Sequence, residues 1–580
     1  MNRRDTLVAG ILSAGLMGLL IPFARIGVDF HHDGIMLKPA LDVLSGQILF
    51  RDTFMQYGAL SCYLQAAALW LHPSLLCLRL MTVAAYGVAL FFLYAAWRLV
   101  LPRSLTIFSC GLFILFIPYS DKGWLDQYWT FLPWSSVYAL MFQSISIYAL
   151  LRVIRDEQPQ RWGVILGMTC AGVFWCRQPV GVILTGCLVV VGIALHWTNW
   201  AAASCSKRSL LRRILSGFVI VHALLLGSII LSGALPAWWY QNFTWPRIWM
   251  QNQTASWLAY KFDFVSPAAG VGLLTLWAAA AWPGLMHRFR PTLSPSIVRA
   301  YWLCLVAVLI WQHERLLEVA VLGAGGWTAL LPCAVFLQAG LSAKAAVTGQ
   351  ASPKTTEYSL VSALAVVCLG SLLQYYPVPD SMHIYWSLGP VYGLFAYLFW
   401  RSTGWSAPVV CGVLVAVFCP ALFVKVRSVQ QAWARPLVTL DQPAVLRGMR
   451  VPLPQARNVE QITNLVEKIM HHRRDIPSAL IGNNSLYLCF TANKANVSPY
   501  FVTWLGLADQ AANQKRWANI QSQRPVLFLH KARWEEVANF YKRSRYVPLL
   551  YQPDDALEVA VPQELADAMG LGAYGAAKSP

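Results

Sequence analysis

The chain has 580 residues, 57% hydrophobic and only 12% charged, with a mean hydropathy of +0.49, whereas soluble domains carry roughly 25% charged residues. A bilayer is therefore its main solvent, and a soluble enzyme is excluded. Lys and Arg number 45 against 26 Asp and Glu, a formal net charge of +19, but the cations stand in short loops between apolar runs. That is the positive-inside pattern of a membrane protein, and without a basic stripe or RNA-binding motif it excludes a nucleic-acid interface.

In chain order, Met1 to Asp5 lead into an apolar run at 7 to 26. No small-residue cleavage site follows, so the run is expected to stay as a first helix rather than to leave as a signal peptide. Residues 27 to 77 form a long polar loop: Val28-Asp29-Phe30-His31-His32-Asp33-Gly34, then Lys38, Asp42, Arg51-Asp52 and Gln56-Tyr57-Gly58. Its interleaved apolar residues predict a folded loop lying on the membrane surface. Apolar runs long enough to cross hydrocarbon follow at 78 to 98, 104 to 118, 132 to 152, 162 to 176, 179 to 196 and 214 to 235. More occur at 266 to 285, 299 to 312, 321 to 341, 359 to 375, 384 to 400 and 406 to 424, about thirteen spans in all.

With Arg3 and Arg4 in the cytoplasm, the loops on that side carry Arg98 and Arg103, Arg152 to Arg161, Lys207 to Arg213, Arg288 to Arg299, and Lys344 with Lys354. An odd span count then puts the tail outside. That tail has ordinary charge density, a helical stretch at Val459 to His472 and β-rich runs at Ser478 to Gly482, Pro525 to His530 and Tyr546 to Gln552. The expected fold is an all-α polytopic membrane domain over 1 to 425 with a soluble C-terminal α/β domain over 426 to 580. The 13 Cys sit almost all inside apolar runs, as at Cys110, Cys170 and Cys368, and read as small buried hydrophobes.

The residues that carry chemistry concentrate in the outward loops. Asp29 and Asp33 are spaced i to i+4, so on a helical turn they face one way and repulsion raises one pKa. A carboxylate there suits a general base, or a divalent-cation ligand with His31 or His32; a solvated loop with capped turns is the competing reading. Loop 119 to 130 adds Lys122, and the stretch from Trp238 to Asp263 adds Trp239, Tyr240, Asn242, Trp245, Arg247 and Trp249. Aromatic rings with amides and carboxylates suit carbohydrate, although rings at a membrane interface also form belts. Cations on this side run against the positive-inside bias. Lys122, Arg177, Arg247 and Arg315 each need a partner, either an internal carboxylate or an anionic ligand such as a lipid phosphate. Asp380 and His383 stand in a stretch whose two prolines, Pro377 and Pro379, break the helix near the outer interface. The sequence has no Walker A, G-x-S-x-G, H-E-x-x-H or Rossmann motif, leaving no basis for an energy-coupled pump or a cytosolic nucleotide-sugar enzyme.

The string HHDGIMLKPALDVLSGQILFRDTFMQYG at 31 to 58, with Leu78-Arg79-Leu80 opening the second span, resembles bacterial members of the C-type glycosyltransferase superfamily. Among these are protein O-mannosyltransferase-like and lipid A aminoarabinose transferase-like enzymes. The likeness of motif covers about thirty residues, and that of architecture most of the chain. It implies that an early first-loop acid is the catalytic base, which maps onto Asp33 or Asp29. Relatives often show an adjacent Asp-Glu pair where this chain has His-His-Asp-Gly. The resemblance further implies one inverting displacement on a polyprenyl-phosphate sugar, with a glycan, lipid or protein acceptor. Lys122, Arg177, Arg247 or Arg315 would stabilise the departing phosphate, and the active face would be the periplasmic side of a bacterial inner membrane. A lipid-linked sugar flippase, a polymerase or ligase using a polyprenyl-diphosphate carrier, and a purely structural protein are the rival readings.

Overall fold

The computed structural model describes residues 1–117, 132–155, 157–197, 206–252, 353–372, 381–403, 405–482, 484–491, 496–499, 510–530, 544–552 and 557–571. The helices of the first half are α1 (Arg3–Ala24), α2 (His32–Leu44), α3 (Ala59–Leu71), α4 (Leu75–Trp97), α5 (Arg103–Leu115), α6 (Ser135–Ile154), α7 (Pro159–Cys176), α8 (Gln178–Trp197) and α9 (Lys207–Leu231). Then come α10 (Leu235–Trp239), a five-residue π turn (Tyr240–Thr244) and α11 (Trp245–Asn252). The helices α12 (Pro353–Leu372), α13 (Ser381–Leu388), α14 (Val391–Thr403) and α15 (Ala407–Trp433) complete the apolar part.

Among the described residues, five helices are long and apolar enough to cross a membrane: α1, α4, α6, α8 and α9. The chain is an integral membrane protein. On α9 only Gly217 and Ile229 are buried, while Leu215, Val219, Leu224 and Leu231 are exposed. Such a surface is stable only against hydrocarbon.

Helix α4 is the centre of this half, buried along most of its length between α1 and α6. Its far end is stapled: Asp5, whose amide is capped by the Asn2 side chain at 2.8 Å, faces Arg98 at 3.2 Å and Arg103 at 2.9 Å. Helices α7 and α9 approach through glycine. A Cβ on Gly167 would lie 2.0 Å from the Ile214 carbonyl oxygen, and one on Gly217 2.2 Å from that of Val164, so no larger residue lets these backbones meet.

Three expectations change. The first loop is largely helical, as α2 and α3. The run at 384 to 400 is two helices rather than one, because Gly389-Pro390 interrupts it; the Pro390 carbonyl accepts from the Trp97 indole at 3.3 Å. The stretch after Trp238, expected as a loop, is helical to Asn252. The runs at 266 to 285, 299 to 312 and 321 to 341 lie outside the described residues.

From Val438 the chain forms a short ribbon, β1 (Val438–Thr439) with β2 (Arg450–Val451), then α16 (Leu453–His472), β3 (Ser478–Ile481), α17 (Gln510–Gln523), β4 (Val526–His530), β5 (Tyr546–Gln552), β6 (Leu557–Pro562) and α18 (Gln563–Ala568). The sheet order is β3-β4-β6-β5, with β3 parallel to β4 and the other pairs antiparallel. All six residues of β6 are buried, as in a central strand covered on both faces. Helix α16 buries Ala456, Val459, Ile462, Val466 and Ile469 at helical spacing. The three sequence-predicted β runs fall on β3, β4 and β5, and β6 was not anticipated.

Gly217→Ala is expected to lower Tm measurably, the overpacking cost being about 1–3 kcal/mol. Gly227→Ala, on the same helix with nothing within 4 Å of an added Cβ, is expected to leave it unchanged; thermal unfolding of both in one detergent checks this.

Candidate functional site

The first loop is built around two carboxylates in opposite surroundings. Asp33, in the first turn of α2, is fully buried and ion-paired to Arg79 of α4: Arg79 Nη2 reaches Asp33 Oδ2 at 2.5 Å and Nε reaches Oδ1 at 3.3 Å. The remaining nitrogen, Nη1, donates to the carbonyls of Ile26 at 3.1 Å and Gly27 at 2.9 Å, where the backbone leaves α1. One guanidinium thus closes the end of α1 and anchors α2. Burial pushes the Asp33 carboxyl up, while the Arg79 charge pulls against it.

Asp29 lies one turn earlier in the same cluster and is buried as well, though less completely. Its amide donates to Asp33 Oδ2 at 2.9 Å, while its own Oδ1 accepts the amides of His31 at 2.9 Å and His32 at 2.8 Å. The other oxygen, Oδ2, holds His32 Nδ1 at 2.8 Å. Burial raises the Asp29 carboxyl, but the hydrogen bond and charge of His32 outweigh it and hold the group at about 2. The two carboxyls thus shift in opposite directions, Asp33 upward chiefly through burial and Asp29 downward through His32.

The His32 ring lies 5.2 Å from that of Trp134, which in turn lies 5.5 Å from Tyr57 and stacks at 6.5 Å on Trp386 of α13. Trp134 immediately precedes α6, and two residues on, Ser136 accepts a hydrogen bond from the buried Arg177 guanidinium at the end of α7. Close approach here needs glycine as well: the Gly58 amide donates to the Cys176 carbonyl at 3.1 Å, and a Cβ on Gly58 would lie 2.0 Å from the Trp175 carbonyl oxygen. The π turn points buried Gln241 at the loop, where Oε1 accepts from the Met55 amide at 3.0 Å and Nε2 donates to the Phe50 carbonyl at 2.6 Å. Phe50 is in the left-handed region at φ 69°, a strain of about 1–3 kcal/mol that needs such a brace.

The cluster thus collects Asp29, His31, His32 and Asp33 on one turn, with Arg177 beyond Trp134. Arg247 is exposed on α11. His383 lies on the backbone of α13. Lys122, Arg315 and Asp380 lie outside the described residues. Among the described residues, no group of three or more His, Cys, Asp or Glu side chains is arranged to hold a metal ion.

In the sequence Arg79 enters only as part of the Leu78-Arg79-Leu80 motif, although a lone arginine in an apolar run is itself a signal of a buried partner. Trp134 and Ser136 carry no such signal. Both oxygens of Asp33 face Arg79 and its burial is complete, whereas the Asp29 and His32 side chains are 6% and 18% exposed.

No family model and no curated protein matches the chain. Among solved structures the chain is similar to ArnT from Cupriavidus metallidurans in the apo state, at 12% identity over 97% of this chain and 99% of that one, with a TM-score of 0.42. It is also similar to ArnT of the same organism bound to undecaprenyl phosphate, at 13% identity over 95% and 97% of the two chains and a TM-score of 0.42. A third is the archaeal oligosaccharyltransferase AglB from Archaeoglobus fulgidus in complex with an inhibitory peptide and a dolichol-phosphate, at 10% identity over 97% and 74%, with a TM-score of 0.46.

Arg79→Met is expected to cost about 3–5 kcal/mol by stranding the Asp33 charge, and Arg79→Met with Asp33→Leu to recover part of it; a double-mutant cycle in chemical denaturation measures both. Because the folded Asp29 carboxyl lies below its unfolded value of about 3.9, its contribution to stability is complete above roughly pH 4 and lost as pH falls towards 2. Asp29→Asn should therefore flatten the fall of Tm across that window.

Proposed function

We propose that this chain is a membrane glycosyltransferase of the C-type kind, moving a sugar from a polyprenyl-phosphate donor to an envelope glycan, lipid or protein acceptor. The observation that carries the reading is the Asp29–His32 pair, set at the rim of an apolar bundle with a buried arginine behind the neighbouring tryptophan. The orientation proposed places this rim and the C-terminal α/β domain on the periplasmic side of a bacterial inner membrane and the N-terminus in the cytoplasm.

The chemistry follows from the two carboxylates. A carboxyl held at about 2 is a weak base, because proton transfer is efficient when the pKa of the catalytic group is near the working pH. An imidazole meets that condition, and a carboxylate on its Nδ1 fixes the ring and the tautomer so that Nε2 accepts the proton. In the proposed reaction the acceptor hydroxyl gives its proton to His32 Nε2 and its oxygen attacks the anomeric carbon. The bond from that carbon to the phosphate oxygen breaks with inversion, and polyprenyl phosphate leaves. Charge growing on that phosphate is stabilised by a nearby cation, for which Arg177 is best placed. Arg247, Lys122 and Arg315 complete the proposed cationic set, with Asp380, just before α13, and His383 in its first turn as further contacts. His31, beside the pair, contributes to sugar contact. The aromatic group of Trp134, Tyr57 and Trp386 suits the apolar face of a sugar ring.

The test is transfer of radiolabel from polyprenyl-phosphate hexoses and pentoses, polyprenyl-diphosphate glycans and nucleotide sugars by the detergent-purified protein. Transfer is expected from a polyprenyl-phosphate sugar alone. His32→Gln and Asp29→Asn should each lose about a hundredfold or more in kcat, in line with removal of a general base. Full activity of both variants contradicts the proposal.

A further inference from the structure

The turn bearing Asp29 and His32 is bonded within itself, but the backbone that leads into it is also held from far along the chain. Arg450 of β2 pairs with the strand-like exit of α1: its carbonyl accepts the Gly27 amide at 2.8 Å and its amide donates to Arg25 at 2.6 Å. The next carbonyl along, that of Val28, accepts the Gln455 side-chain amide of α16 at 2.9 Å. The Phe30 carbonyl accepts the Leu486 amide at 3.0 Å, and the Phe30 ring stacks on Tyr487 at 4.5 Å. Contact is close enough that a Cβ on Gly34 would fall 2.2 Å from the Leu486 nitrogen. At the other end of α2, Asn496 Nδ2 lies 2.7 Å from Asp42 Oδ2 and 3.1 Å from the Asp52 carbonyl, while Asp42 is ion-paired with buried Lys38. Residues more than four hundred positions downstream thus hold both ends of the helix that the reactive turn begins.

We infer that the C-terminal segment is a working part of the active face, and that Gln455 is a positioning residue which fixes the Val28–Asp29 peptide and through it the angle at which Asp29 presents His32. This rests on the glycosyl-transfer reading. Gln455 is singled out because its contact is made by one half-buried side chain, whereas the Arg450 and Leu486 contacts are backbone bonds. A carbonyl left without that donor is free to rotate its peptide, and the amide of the same peptide is the one that binds Asp33. Displacements of this size at a reacting group cost about ten- to a hundredfold in rate.

The experiment compares wild type with Gln455→Leu, which removes the donor, Gln455→Lys, which keeps one, and Glu460→Ala as a control on the exposed face of α16. Readouts are kcat and KM with polyprenyl-phosphate hexose, Tm, and hydrogen exchange of peptides spanning 28 to 35. Expected for Gln455→Leu are a kcat lowered about tenfold or more, unchanged KM and Tm, and faster exchange in those peptides, with recovery in Gln455→Lys. Unchanged kcat and exchange, or a fall in Tm with kcat per folded molecule intact, overturns the inference. If the wild type transfers nothing, the functional reading fails on its own and exchange decides the contact: faster exchange in Gln455→Leu upholds it, and unchanged exchange overturns it.

Discussion

A charge taken out of water must find its counter-charge, and in this molecule the Asp33–Arg79 pair meets that demand at the point where three elements converge. Both side chains are fully buried. Ionised alone, either would carry a desolvation cost of several kcal/mol, so α2 cannot leave α4 without exposing that cost. Because the same guanidinium also binds the carbonyls that end α1, the geometry of the first loop is tied to the first two long helices of the bundle. The neighbouring carboxylate has other partners. Asp29 receives two amides and an imidazole rather than a guanidinium, which leaves a buried acid bound to a half-buried histidine.

The pair illustrates how two carboxylates at one helical spacing come to stand in opposite surroundings. Two aspartates four apart on a helical turn must differ in affinity for a proton, which needs no structure to deduce. What each of them pairs with depends on Arg79, forty-six positions away from Asp33, on His32, and on the depth of each side chain. Distance in sequence hides the first of these. Asp33 resembles a family base by motif position, yet its surroundings are those of a structural anchor.

The rest of the fold was legible to the extent that its physics is local. Apolar runs of about twenty residues announce themselves, and α1, α4, α6, α8 and α9 stand where composition puts them. Periodicity likewise finds α16, β3, β4 and β5. Short helices in the polar loop, α2 and α3, were hidden because their apolar positions face the bundle and the C-terminal sheet rather than one lipid side. The break at Gly389-Pro390 was written in the sequence and was outweighed by the apolar residues on either side. Least legible was the docking of Arg450, Gln455, Leu486 and Asn496 on the first loop, since backbone pairing over four hundred residues leaves no pattern in either partner. A boundary near residue 425 separates the chain by composition, while the contacts cross that boundary at the Asp29–Asp33 turn.

The central claim is a division of labour, with Asp33 as anchor and the Asp29–His32 pair as the reacting group. The most direct measurement is an electron-microscopy map of the protein in a lipid nanodisc with a non-hydrolysable polyprenyl-phosphonate hexose bound. The account predicts the anomeric carbon on the His32 side of the turn, within one acceptor oxygen of Nε2, with the Asp33–Arg79 pair intact beneath it. A sugar seated against Asp33, with Arg79 turned away to meet the phosphonate, would contradict it.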